Sequence, residues 1–304
     1  MKRKILLFSL LLLAFTVYAQ AQIKTLLITG QDGSHYWRGA SAGIEQILEN
    51  SGLFNVDVLV TPDFGEDINR FEPDFDGYDL VIVNYGGATW KASVREAFEK
   101  FIANGNGAVI LHSSIIPMGD WPAYNEMTAL GAWNGRDERW GPFVYWKNGK
   151  YIYDYTPGYA GYHGLQHETV IDHRAPEHPI LKGLPTRWKH FKDEIYTKLR
   201  GPGKNMEILA TIKENGRDEP AMWTVRYGKG RIFVDVLGHC GNDPEMIYSI
   251  LCTGYQVTLL RGAEWAATGT VTQQAPNDFP LEDTYTLRTN FKAPFHAYPT
   301  TDED

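Results

Sequence analysis

Four short runs in the first third of the chain are apolar at nearly every position: residues 23–29 (containing LLIT), 56–61, 78–84 (containing LVIVN) and 108–113 (within AVILHSS). A strand with one wet face alternates apolar and polar residues, so a run without alternation must be covered on both faces. Helical patterns at 39–50, 92–104 and 121–130 supply that cover. Strands alternating with helices in this way predict an α/β fold with a doubly wound, mainly parallel sheet. Asn104-Gly105-Asn106-Gly107 closes one helix with residues that tolerate a left-handed cap.

The second half reads differently. Residues 131–164 (WNGRDERWGPFVYWKNGKYIYDYTPGYAGYHG within them) have no long helical period and are rich in Gly, Trp and Tyr. Long irregular insertions serve as lids or are disordered, and this density of aromatic rings argues against disorder. The insertion is therefore expected to be a lid whose rings and polar groups suit a sugar, or else an aromatic mini-core over a sheet edge. Strands are predicted at 167–172, 206–212, 220–226 and 231–237, the last two joined by a tight Tyr227-Gly228-Lys229-Gly230 hairpin. A helix is predicted from Asp243 to about Trp265, and the Pro276, Pro280, Pro294 and Pro299 spacing then makes an extended strap with a loose acidic tip. One domain over 22–272, carrying the lid, with a strap and tail over 273–304, accounts for the chain.

Residues 1–21 read as a secretory signal: Lys2, Arg3 and Lys4, an apolar run over 5–17, then Ala19-Gln20-Ala21. No later stretch approaches the ~20 apolar residues of a membrane span. The expectation is an exported protein of periplasm or exterior, off the membrane once the signal is removed. The formal net charge is −8, and the signal removes three cations, so nucleic acid is not an expected partner. A small neutral saccharide is; the oligomeric state is left open. Cys240 and Cys252 are the only cysteines, which excludes a disulfide scaffold, and a helix between them would hold them too far apart to pair.

No Walker loop, CxxC pair or HExxH helix is present, and Gly30 and Gly33 lack the third glycine of a dinucleotide loop, so no nucleotide is expected. The histidines carry more. His35 follows the first strand, His112 ends the fourth, His163 and His167 stand at the lid exit, and His239 follows Gly238 after the last strand. Ligands of wound sheets collect beyond the carboxyl ends of the strands. Imidazoles there, with Asp193 or Glu194, can bind one divalent ion, zinc or similar, or work as general acid and base. The candidate ligands are His35, His112, His167 and His239, and the candidate catalytic groups are His112, His239 and Glu194. Candidate sugar contacts are His35, Tyr36, Trp37, Ser113, Trp133, Trp140, Tyr162 and His163. Each histidine also has a structural reading, as a partner of backbone or a surface carboxylate.

In order along the chain, LHSS, HPILKGLP, KDEIYTKLRGP, NMEILATI, RYGKGRIFVDVLGH and RGAEWAATG resemble the ThuA-like (trehalose utilisation) family, from Ile23 to about Thr272. The resemblance implies a flavodoxin-like fold of the class I glutamine-amidotransferase type, a role in the use of trehalose or related glycosides, and a Gram-negative periplasm. It also matches Asp193-Glu194-Ile195-Tyr196 to the family's Asp-Glu-Leu-Tyr block. Glutamine hydrolysis is not implied: the amidotransferase nucleophile position holds Leu111-His112-Ser113-Ser114 without a thiol, and His239 is followed by Cys240 and Gly241, not by a carboxylate two residues on. Cys240 reads more simply as a packing residue. Two readings remain, metal-assisted acid–base chemistry on a glycoside or keto-sugar and a non-catalytic carbohydrate-binding or scaffold module, with a Ser113/His239 hydrolase third. The enzyme reading requires His35, His112 and His239 to meet near Glu194; the binding reading tolerates their dispersal.

Overall fold

The structure is a computed structural model describing residues 21–241 and 248–289. Residues 1–20 of the expected signal, Asp243 and Pro244 of the expected helix start, and the tail tip lie outside the described residues.

The first half is β1 (Ile23–Gly30), α1 (Trp37–Asn50), β2 (Phe54–Val60), β3 (Leu80–Tyr85), α2 (Ala92–Ala103), β4 (Gly107–Leu111) and α3 (Pro122–Thr128). The second is β5 (Phe143–Lys147), β6 (Lys150–Asp154), β7 (His167–His173), β8 (Arg187–Asp193), β9 (Met206–Glu214), β10 (Arg217–Tyr227), β11 (Gly230–Asp235), α4 (Tyr248–Leu251) and α5 (Thr253–Thr268). All eleven strands join one sheet in the order β2-β1-β3-β4-β11-β10-β9-β7-β8, with the β5–β6 hairpin attached to β10.

The pairings β2–β1, β1–β3, β3–β4 and β4–β11 are parallel, which gives the wound core its continuous apolar runs. On β1, Leu27 packs into one core while Leu26 and Ile28 pack into the other; on β3, Leu80 and Ile82 oppose Val81 and Val83 in the same way. Helix α1 covers one face with Ala40, Ile44, Ile47 and Leu48, one helical stripe, beside α5. Helix α2 covers the other with Val94, Phe98, Phe101 and Ile102, beside α3. Beyond β11 the sheet continues antiparallel through β10, β9, β7 and β8.

The expected C-terminal helix is two helices, because Cys252 is extended (φ −64°, ψ 125°) between α4 and α5. Both cysteines are buried free thiols. From Thr270 the chain runs as a strap: Lys189 N–H donates to Leu281 O at 2.8 Å, Thr253 N–H to Thr286 O at 2.8 Å and Arg288 N–H to Leu251 O at 2.9 Å. Covered by sheet and strap, α5 is buried on every side from Thr253 to Ala266.

One buried carboxyl in this frame sets a pH response. Burial pushes Glu219 on β10 up to about 7 from 4.5, against the pull of a hydrogen bond from the Lys198 backbone. The folded state therefore keeps this proton where the unfolded chain loses it, so stability falls as pH rises from about 4.5 through about 7. Glu219→Gln is expected to remove that fall, leaving the variant ahead of wild type by about 3 kcal/mol at pH 8 relative to pH 4. Urea melts across this range check it; parallel pH profiles would refute the assignment.

Candidate functional site

Strands β1, β4 and β11 are parallel, so their carboxyl ends open on one edge of the sheet, and a histidine follows each. The β1–α1 turn delivers His35. Its loop is tied to the turn that follows β11, where Tyr36 N–H donates to Cys240 O at 3.0 Å. At the end of β4, His112 holds a left-handed backbone (φ 43°), a conformation that costs a non-glycine residue on the order of 1 kcal/mol or more and is tolerated where the surroundings enforce it. The enforcing contact is Nδ1–H donating to Val236 O at 2.7 Å. After β11, Gly238 turns the chain at φ 96°, where a Cβ would also meet the Tyr255 ring at 2.7 Å, and His239 follows. Glu194 enters from the antiparallel half at the end of β8.

One ligand atom each from His35, His112, Glu194 and His239 lie within 4.8 Å of one another. His112 Nε2 is 3.2 Å from His35 Nε2 and 3.3 Å from His239 Nδ1, and Glu194 Oε2 is 3.5, 3.7 and 3.3 Å from the His35, His112 and His239 nitrogens respectively. Tetrahedral coordination with bonds of ~2.0–2.1 Å places neighbouring ligand atoms ~3.3 Å apart, so the donor set fits one such ion. The Tyr196 hydroxyl oxygen lies 2.9 Å from His112 Nε2, with its ring stacked on the imidazole.

The partners fix the tautomers. His35 Nδ1 faces Asp32 Oδ1 at 2.9 Å, and Asp32 Oδ2 accepts from Ser113 Oγ at 2.6 Å. With Nδ1–H of His35 on a carboxylate and Nδ1–H of His112 on a carbonyl, the two Nε2 lone pairs point at each other across 3.2 Å. Positive charge must lie between them, as a proton or as a metal. Burial works to lower both imidazoles. It wins at His112, but at His35 the hydrogen bonds with Asp32 and Glu194 outweigh it and lift the group to about 9. Burial works to raise Glu194, and hydrogen bonds from His112, His239 and His35 overcome it and hold the carboxyl far below its usual range.

Asp193 braces the site from behind. Its carboxylate accepts from Gly238 N–H (2.8 Å), His239 N–H (3.1 Å), Glu194 N–H (2.7 Å) and His190 Nε2 (2.7 Å), and it is fully buried.

The cluster opens on a cavity of about 260 Å³ lined by Ser34, His35, Ile116, Trp133, Asn134, His163, Glu194 and Tyr196. Trp133, Asn134 and Gly135 are consecutively left-handed (φ 50°, 46° and 73°), and this sharp bend at the start of the insertion brings the indole edge-on to the His163 ring. The remaining expected contacts are placed elsewhere. Ser113 donates to Asp32 behind His35, away from the cavity lining and without a bond to His239 among the described residues, which removes the hydrolase pairing. Trp37 is buried in α1 beneath Arg38, and Tyr36 packs against the α1–α5 core. Trp140 lies against Arg136, and Tyr162 pairs with Thr197 with Lys198 over its ring. His167 is corrected as a ligand: although its backbone is paired with Asp193 at the start of β7, its Nε2 turns to Glu214 of β9 at 3.2 Å, and it is not among the four residues whose ligand atoms converge. Glu194 takes its place. Sequence reasoning missed Asp32, Ser34, Ile116 and Asn134, and gave Tyr196 no place at the site.

A family model for ThuA, described as trehalose utilisation, matches residues 24–266. The solved structure of a ThuA-like protein from Parabacteroides merdae superposes with a TM-score of 0.85 at 47% identity, covering 88% of this chain and 98% of that one. One from Bacteroides uniformis superposes with a TM-score of 0.55 at 19% identity, covering 84% and 96%, and shares the fold. No curated protein is detectably similar to the chain.

Proposed function

The chain belongs to the ThuA family, linked to trehalose utilisation, and from that premise we propose that it is an exported protein performing metal-assisted acid–base chemistry on a glycoside or keto-sugar. The observation that carries this reading is the convergence of His35, His112, Glu194 and His239 on one point at the strand ends. A binding module has no need for three imidazoles and a carboxylate in mutual contact, whereas chemistry at a carbonyl or hydroxyl does.

His35 and His112 would hold the ion through Nε2, His239 through Nδ1 and Glu194 through Oε2. When bound, a divalent ion polarises a carbonyl or hydroxyl oxygen. The chain's own groups do the rest. Asp32 and Val236 O orient two of the imidazoles, and Trp133 and Ile116 offer apolar surface to the face of a ring. Asn134 and Ser34 offer bonds to its hydroxyls. The cavity is smaller than the ~300–1,000 Å³ of drug-sized sites, so it suits a single ring. The negative chain and the N-terminal signal support a neutral sugar met outside the cytoplasm.

The purified protein, dialysed against a weak chelator, is expected to keep close to one equivalent of a divalent ion, and His112→Ala and His239→Ala are expected to lose it. Elemental analysis of the three samples decides. An ion-free wild type would turn the reading towards metal-free acid–base catalysis, and equal retention in all three would move the ion elsewhere.

A further inference from the structure

One imidazole at the cavity stands apart from the cluster. His163 is carried by the insertion and its side chain is 40% exposed, while those of His35, His112 and His239 are at most 9% exposed. Glu194 connects the two environments by dividing its oxygens. Oε2 faces the three buried imidazoles, and Oε1 turns outward to His163 Nδ1 at 3.1 Å. The same Nδ1 reaches the Gly164 carbonyl at 3.1 Å. Both neighbours are acceptors, so Nδ1 carries the hydrogen and Nε2 carries the lone pair. No hydrogen bond or ion pair engages that Nε2 among the described residues.

A carboxylate beside one ring nitrogen, with the other left without a partner on a residue that lines the cavity, is the arrangement in which histidine serves as a general base. The three buried imidazoles are engaged with one another and with Glu194, His239 through its Nδ1. His35 is engaged by Asp32 and the cluster, and His112 by Val236 O and the cluster. Trp133, 5.7 Å from His163 between ring centres, lines the same cavity and adds apolar surface beside that nitrogen.

We propose that His163 is the proton-transferring base of this site, oriented by Glu194, and that its substrate is a sugar bearing a ketone, from which Nε2 removes the proton on the carbon next to the carbonyl. The carbon–hydrogen electron pair passes into the enolate, whose oxygen takes the negative charge, and the proton rests on His163 until it returns to the same carbon or exchanges with water. No oxidant or second substrate is needed. The inference deepens the function proposed above and rests on it.

The test follows deuterium uptake at the carbons flanking the ketone in methyl glucosides oxidised at C2, C3 or C4, incubated with protein in deuterated buffer and read by NMR, with metal content measured on the same samples. Wild type is expected to exchange at least one of them. His163→Ala is expected to fall by about 10²-fold or more with its metal retained, and added imidazole should restore part of the rate, which a merely structural role would not allow. Exchange in His163→Ala within a few-fold of wild type overturns the inference and leaves the metal site standing. So does a metal-loaded wild type that exchanges none of the three. A metal-free wild type whose exchange still depends on His163 overturns the metal reading and keeps the base.

Discussion

Asp193→Ala is expected to cost the protein about 3–5 kcal/mol of stability, among the largest effects of any single substitution here. Four donors converge on that carboxylate, namely the backbone N–H groups of Gly238, His239 and Glu194 and the His190 ring. Those of Gly238, His239 and His190 are buried, and alanine leaves these three without a partner or water to replace it. His190 makes the loss worse. Burial works to lower its pKa, but negative charge on the Cys252 sulfur and the Asp193 carboxylate outweigh burial and raise it to about 10, so the folded protein keeps a buried imidazolium. Because the folded pKa exceeds the unfolded value near 6.5, this contribution is fully present below about 6.5 and is lost as pH rises through about 10. The variant should show a lower melting temperature at pH 6 and a flatter alkaline limb than wild type. A loss under about 1 kcal/mol at pH 6 would mean that the donors find other partners.

Its neighbour should behave in the opposite way. Glu194→Gln is expected to leave the fold near its wild-type melting temperature and to weaken retention of a divalent ion by at least about 10²-fold, more than an outer partner of the ligands would. The side chain stands at the cavity wall, so an isosteric amide keeps the packing. It removes the one negative charge among the four donors and leaves a single oxygen where the carboxylate offers one to the cluster and another to His163. Metal titration beside a thermal melt separates the two adjacent carboxyl groups: one holds the turn, the other holds the charge. A Glu194→Gln protein that binds the ion like wild type would remove the carboxylate from the ligand set, and one that melts far lower would make Glu194 a structural residue like Asp193.

What the sequence disclosed and what it hid divide along the sheet. The parallel strands were legible because burial on both faces leaves no polar position, and the boundaries of β1, α2 and β4 fell close to their expected places. His35, His112 and His239 were legible as strand-end residues for the same reason. Strand β8 was not: its buried positions are Trp188, His190 and Asp193, set among Arg187, Lys189 and Lys192, so the alternation is not written in aliphatic residues and slips by one before Asp193, where the pairing with β7 shifts register. The β5–β6 hairpin was hidden in the same way by Tyr, Trp and Lys. Asp32 could not be singled out, since only the geometry of the β1–α1 turn brings it to the His35 ring. Aromatic content misled in one respect. Trp37 serves the core and Trp140 stacks on Arg136, and only Trp133, turned by its left-handed bend, lines the cavity.

The cluster joins groups that are far apart along the chain: His35 and His112 are separated by 77 residues, and His112 and His239 by 127. Loops of this length close only after the strands between them have paired, so no fragment and no half-folded chain assembles the four donors. The site is thus a late product of folding and a gauge of its completion. A chain crossing a membrane unfolded would carry only scattered imidazoles, weak traps for stray ions, and would acquire its full set of ligands once the last parallel strand, β11, had slotted beside β4 and met β8 across Asp193.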